Sequence, residues 1–346
     1  MAMASGLSLA TSRQVTHHSF AQSFQRPFLR MQKTRRLSNL SRQLLASAAG
    51  VGAYGACHAM RQRRSFAVAC AAEEATAPEA FPPAVIVGGG RLGEAFAKMG
   101  LRQDVIVRRG ETFPSDAPEG PIYVCTRNDA LEEVIRMVPE ERHEDLVFVQ
   151  NGVLMPFLDR QLRPGLPVTI LLVYFAVAKK GEPPLDGKTD TDPEGLSAVN
   201  AGGKWAREVH WRLTSSDLAC RILRDMEFKQ AYWEKNLWIS AYMMVGALHG
   251  CTVGEVESTH RKEVDELIGQ LAVAVSASQA DVTWERLLLC DRLAAYARSV
   301  AHFPTAVKEF EWRNGAFYEM SKAAEAAGRP DPCLKHTEGL RTLKVI

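Results

Sequence analysis

The chain has no Cys-x-x-Cys pair. Its seven cysteines are scattered. Cys57 and Cys70 lie early, and Cys125, Cys220, Cys251, Cys290 and Cys333 are far apart with no histidine at ligand spacing, so neither a zinc site nor a disulfide framework is expected. Buried free thiols are the plain reading. His143-Glu144 lacks the second histidine of a zinc protease, and the calcium-like run from Asp190 has Ala201 where a bidentate acid is required. No metal is expected. Walker A loops, nucleophile elbows and internal repeats are also missing. Long apolar runs are lacking too: Leu44 to Met60 is rich in Ala and Gly and about seventeen residues long, against the roughly twenty that a spanning helix needs. A mature form without membrane spans is expected.

Acidic residues are absent from the first 72 positions, which hold ten of the 42 basic side chains. The rest of the chain therefore carries 32 basic against 40 acidic groups. An acidic body lacks the positive field that phosphate backbones require, so nucleic acid is not expected as a partner. The basic, serine-rich, acid-free head has the composition of an organelle transit peptide over 1–72. Val68-Ala69-Cys70-Ala71 resembles a processing site for import into the plastid stroma (chloroplast), with the mitochondrion as the alternative. Residues 73–83 read as a linker rich in Ala, Glu and Pro.

Chemistry begins after it. Ala84-Val85-Ile86-Val87 is a short buried-type strand. It runs into Gly88-Gly89-Gly90-Arg91-Leu92-Gly93, and Glu94 to Met99 then reads as a helix ending at Gly100. Gly88, Gly90 and Gly93 satisfy G-x-G-x-x-G in strand-turn-helix context, which predicts dinucleotide binding: a tight turn, close approach of backbone to pyrophosphate, and close helix packing. The helix N-terminus would add unpaired N–H groups and a positive dipole end. A second strand, Val105-Ile106-Val107, ends in Arg108-Arg109, about where an NAD site carries the acid that binds the ribose. Two arginines would instead pair with a 2′-phosphate, which favours NADP.

Further strands are expected at Ile122–Cys125, Leu146–Val149 and Val168–Val177. Asn128 or Asp129 is placed to cap the helix that follows the third. The pattern predicts an α/β fold: an N-terminal Rossmann-type doubly wound parallel sheet at 84–228, followed by an all-helical C-terminal domain at 229–346. Residues 178–214 read as loops and extra strands. Helices are expected at Ser215–Met226, Trp233–His249, Arg261–Ser278, Val282–His302 and Thr305–Ala327.

The order GGGRLG, TRNDAL, VFVQNGV, WEKNLW and EFEWRNG resembles the ketopantoate reductase family over roughly Val85 to Leu340. That resemblance implies an NADPH-dependent oxidoreductase of a small 2-keto acid or related carbonyl, a helical substrate domain, and a homodimer as one open assembly. It implies cofactor contacts from the glycine loop and Arg127, which stands where the family usually has lysine. It implies Asn151 as the residue orienting cofactor and substrate, Lys235 as proton donor, and Glu309, with Asn314-Gly315, as the acid of the late motif. A cationic acid beside a reducing ketone stabilises the developing oxyanion and then donates its proton. The family's asparagines one and two turns after the lysine correspond here to Ile239 and Met243, and its carboxylate-binding serine to Ala297, with Ser299 near. Tyr242, His249 and Arg313 could replace those polar contacts. Two other readings stay open: a dehydrogenase of another class, such as one acting on an amino-acid-derived imine, and a nucleotide-binding regulatory or assembly protein without the substrate pocket.

Overall fold

The computed structural model describes residues 82–100 and 103–346. The transit peptide expected over 1–72 lies outside the described residues, as does nearly all of the linker. The strands are β1 (Val85–Val87), β2 (Val105–Val107), β3 (Ile122–Val124), β4 (Leu146–Phe148), β5 (Thr169–Leu172), β6 (Ala198–Asn200) and β7 (Arg221–Leu223). They form one sheet in the order β2-β1-β3-β4-β5-β6-β7. β1 through β5 are parallel, with Val85 opposite both Val105 and Ile122. β6 then runs antiparallel to β5, and β7 parallel to β6. The sheet is therefore mixed at one edge rather than parallel throughout. Apart from Thr169 at the start of β5, strands β1, β3, β4 and β5 are apolar throughout, and all four are wholly buried because both faces of the sheet are covered there.

Helices α1 (Arg91–Met99), α2 (Leu131–Met137), α3 (Met155–Gln161) and α4 (Ala206–Thr214) flank the sheet. The C-terminal part is helical: α5 (Asp225–His249), α6 (Val253–Thr259), α7 (Arg261–Ser278), α8 (Arg286–Ser299), α9 (Phe310–Arg313), α10 (Gly315–Ala326) and α11 (Leu334–Thr342). α5 is the axis of this part. Its middle is apolar almost all round, and Leu237, Ala241, Tyr242, Met244 and Val245 are buried among the surrounding helices.

Several expected boundaries move. The helix expected at Ser215–Met226 is instead a turn leading into β7, and α5 begins at Asp225, eight residues before Trp233. Glu227 accepts a hydrogen bond from the Arg224 backbone N–H (3.4 Å) at that start. Thr305–Ala327 is not one helix: residues up to Lys308 are non-helical, and α9 and α10 follow. Thr305 is held out of helix by its hydroxyl, which donates to the Cys251 carbonyl (2.5 Å) beyond the end of α5. Asn128 and Asp129 do not cap α2, which starts with no side-chain cap at all.

Candidate active site

The glycine loop follows β1, and each glycine meets a different constraint. Gly88 has φ +109°, and a β-carbon there would lie 2.8 Å from the Cys125 carbonyl oxygen. Gly93 lets α1 sit on the strand: a β-carbon would fall 1.8 Å from the Gly88 carbonyl oxygen. A β-carbon at Gly90 would meet nothing within 4 Å. That is the room a backbone-hugging pyrophosphate would need. Gly90 is also the N-cap residue of α1 and has no side chain to accept from the first-turn N–H groups, which point at the opening.

The loop borders a cleft of about 690 Å³, lined also by Arg108, Arg109, Gly110, Thr126, Arg127 and Lys180. Arg108 and Arg109 are exposed, and Glu111 accepts from the Arg108 backbone N–H (2.6 Å), which fixes the turn after β2. Among the described residues neither guanidinium has a carboxylate partner. Arg127 pairs with Asp129 at 3.2 Å on the surface. Two expected contacts differ in kind. The Arg91 side chain turns away and donates to the Ala178 carbonyl (3.0 Å), and Leu92 lines a different cavity, so both can serve the cleft only through their N–H groups. Lys180, missed in the sequence, is brought to the cleft by the 178–182 loop, where it pairs with Glu94 at 3.0 Å. The donor set suits a dinucleotide, and Arg108 and Arg109 line the same cleft.

A second cavity of about 350 Å³ is bordered by Leu92 in the first turn of α1. It gathers Asn151 from the turn after β4, Lys235 from α5, and Arg313 from α9. Lys235 is 6% exposed; its ammonium donates to the Val173 carbonyl and lies 3.8 Å from the Tyr174 ring centroid. Burial, with the nearby Arg313 charge, lowers its pKa to about 7. The Asn151-Gly152 turn is fixed by its neighbour. Gly152 has φ +127°, a β-carbon would lie 2.6 Å from the Trp312 carbonyl oxygen, and that oxygen accepts from the Val153 N–H (2.7 Å). Three buried atoms of residues lining this cavity have no partner among the described residues: Asn151 Oδ1, Trp238 Nε1 and Arg313 Nε. Each unpaired buried group costs about 1–3 kcal/mol, and residues of this one wall carry three of them.

Glu309 lies beside this cavity, not in its wall. Its carboxylate receives Arg313 Nη2 (2.5 Å) and Asn128 Nδ2 (3.3 Å). Asn128 also donates to the Asn151 backbone carbonyl (3.0 Å), so this buried amide ties the Asn-Gly turn to Glu309. No local sequence pattern signals that link, because its partners are far apart in the chain. Glu309 itself has φ +48°, a strained conformation for a glutamate, held by these contacts. Asn314 is a scaffold: its side-chain oxygen accepts from His336 Nε2 (2.9 Å) on α11. Ile239 and Met243 line the Lys235 cavity, whereas Tyr242, His249, Ala297 and Ser299 do not. Cys125 borders the dinucleotide cleft, but burial pushes its thiol pKa far up, so it is no nucleophile. On the surface, His249, His260 and Glu263 bring three metal-competent atoms within 4.8 Å of one another, with Glu263 already paired to His249 at 2.8 Å.

No family model and no curated protein matches the sequence. Solved structures do. The chain is similar to D-mandelate dehydrogenase in complex with NADH, at 14% identity over 75% of this chain and 97% of that one, with a TM-score of 0.54. It is similar to dimeric ketopantoate reductase from Staphylococcus aureus, at 16% identity over 76% and 99%, with a TM-score of 0.52. A probable 2-dehydropantoate 2-reductase from Bacillus subtilis gives 14%, 75%, 99% and 0.50. These likenesses establish the fold: a Rossmann-type sheet followed by a helical C-terminal part.

Proposed function

We propose that this chain is an NADPH-dependent reductase of a small 2-keto acid or related carbonyl, with Lys235 as the proton donor. The observation that carries the reading is Lys235 itself: a buried lysine with its pKa lowered to about 7, in a cavity bordered by Leu92, two residues after the glycines that line the dinucleotide cleft. When bound, the nicotinamide dinucleotide would supply a hydride. The chain's own residues do the rest. Gly88 to Gly93 offer backbone N–H groups to the pyrophosphate, and Arg108 and Arg109 hold the 2′-phosphate. Val173 and Tyr174 fix the Lys235 ammonium, which stabilises the oxyanion and passes it a proton. Asn151 Oδ1 orients the substrate. Glu309 and Asn128 position Arg313 and the Asn-Gly turn rather than touching substrate.

The cofactor half is tested by calorimetry. NADPH should bind more tightly than NADH by about 1.5–3 kcal/mol for each charge-assisted bond to the 2′-phosphate, and Arg108→Ala with Arg109→Ala should erase most of that gap. Equal affinity in the unaltered protein sinks the NADP assignment. The catalytic half is tested by NADPH oxidation with a panel of keto acids. A second reading, a nucleotide-binding regulatory protein, draws on Ile239 and Met243 in the cavity wall; NADPH binding without turnover of any carbonyl would favour it. Import of the full chain into isolated plastids, with mitochondria in parallel, tests the transit peptide.

A further inference from the structure

The wall of the Lys235 cavity has an unusual composition. It holds three basic side chains, Lys235, Lys308 and Arg313, and no acidic one. Lys308 is exposed at the rim and has no ion-pair partner among the described residues. Of the three unpaired buried atoms, two are donors, Trp238 Nε1 and Arg313 Nε, and only Asn151 Oδ1 is an acceptor. Beyond these groups and Tyr296 the wall is apolar. Trp238 meets Tyr296 edge-on at 4.7 Å, and Ile239, Met243, Phe175 and Phe303 complete the surface. Such a cavity selects a small anion with a greasy body: donors and cations for a carboxylate, and no partner for a hydroxyl along the apolar side.

We propose that this cavity takes a 2-keto acid whose substituent is apolar, with its carboxylate anchored by Arg313 and Lys308 and its substituent packed on Ile239, Met243 and Phe303. The proposal rests on the reductase reading and names its substrate class. Arg313 suits the anchor because it lines the cavity and Glu309 engages only its Nη2, which both orients the guanidinium and leaves its other N–H groups uncommitted to Glu309. A hydroxylated substituent would bury its hydroxyl against Ile239 and Met243, where nothing replaces its bonds to water.

The test measures binding and turnover separately on three probes: 4-methyl-2-oxopentanoate, its methyl ester, and ketopantoate, which carries a hydroxyl. Binding is measured by calorimetry with NADP⁺ present, and turnover as NADPH oxidation. The apolar acid should bind at least about tenfold more tightly than either of the others. Lys308→Gln, at an exposed position that cannot disturb folding, should weaken the acid several-fold and leave the ester unchanged. Met243→Asn should narrow the gap to ketopantoate. Equal binding of acid and ester overturns the carboxylate anchor, and equal or tighter binding of ketopantoate overturns the apolar preference. Binding of none of the three overturns the whole proposal. Binding of the apolar acid without NADPH oxidation would sustain the ligand class and remove the reductase reading.

Discussion

As the proposed proton donor, Lys235 would couple its burial to the pH profile of the reaction. A proton donor must be protonated, so reduction should be fastest below about pH 7 and fall with loss of one proton above it. Lys235→Ala should lower kcat by about 10²-fold or more, abolish that titration, and leave NADPH affinity nearly unchanged. Lys235→Arg should rescue little, because a guanidinium stays protonated and has no proton to give near neutrality. A variant that keeps more than about half the turnover would make the lysine a bystander. Stability carries the opposite signature. Between about pH 7 and the ordinary lysine pKa of 10.5 the unfolded chain holds a proton that the folded chain has released, so this residue's penalty on folding eases as pH rises through that window.

At the scale of elements, one buried ion pair pins α4 to the sheet. Arg212 and Asp104 meet at 2.6 Å with side chains 4% and 1% exposed. Arg212 also donates to the Phe96 carbonyl (3.0 Å) and lies over the Tyr123 ring, and Asp104 accepts from the Ala84 N–H (2.8 Å). The pair thus joins α4, the end of α1 and the strands that present the glycine loop. Arg212→Met, which strands a buried carboxylate, should cost about 3–5 kcal/mol in urea unfolding, and adding Asp104→Asn should recover much of it. A loss under about 1 kcal/mol in the single variant would show that water reaches the aspartate. Nothing local in the sequence marks this pair, because its members are far apart along the chain.

Across the whole molecule, the last helix is held by a histidine that must stay neutral. His336 is fully buried between Asn314 and Phe317, and desolvation lowers its pKa to about 4. The unfolded chain binds this proton below about 6.5, the folded one only near 4. The contribution is complete above pH 6.5 and is lost as pH falls toward 4, on the order of 3 kcal/mol in all. Urea midpoints measured across that range should drop, and His336→Gln should flatten the curve. A wild-type midpoint that is level from pH 6.5 to 4 would place the imidazole in contact with water.

The first five strands, the glycine turn and the arginines after β2 were legible in the sequence because each is a local property: a buried parallel strand is a short apolar run, and a tight strand-to-helix turn needs glycine at fixed offsets. β7 and the start of α5 were not, because a three-residue strand is too short to show a period and the first turns of α5 are polar. Asn151, Lys235 and Glu309 could be named in advance only through a resemblance. Their division of labour, with Lys235 and Asn151 in the cavity wall and Glu309 behind Arg313, is set by long-range contacts. Local pattern alone sufficed for the five parallel strands, the loop and the charges at its tips, but not for the antiparallel β6 or for β7. That Lys235 is buried, that Arg313 Nε has no acceptor, and that Ile239 and Met243 line the same cavity emerge only from the packed fold, because burial and unpaired hydrogen bonds arise when distant segments close around one another.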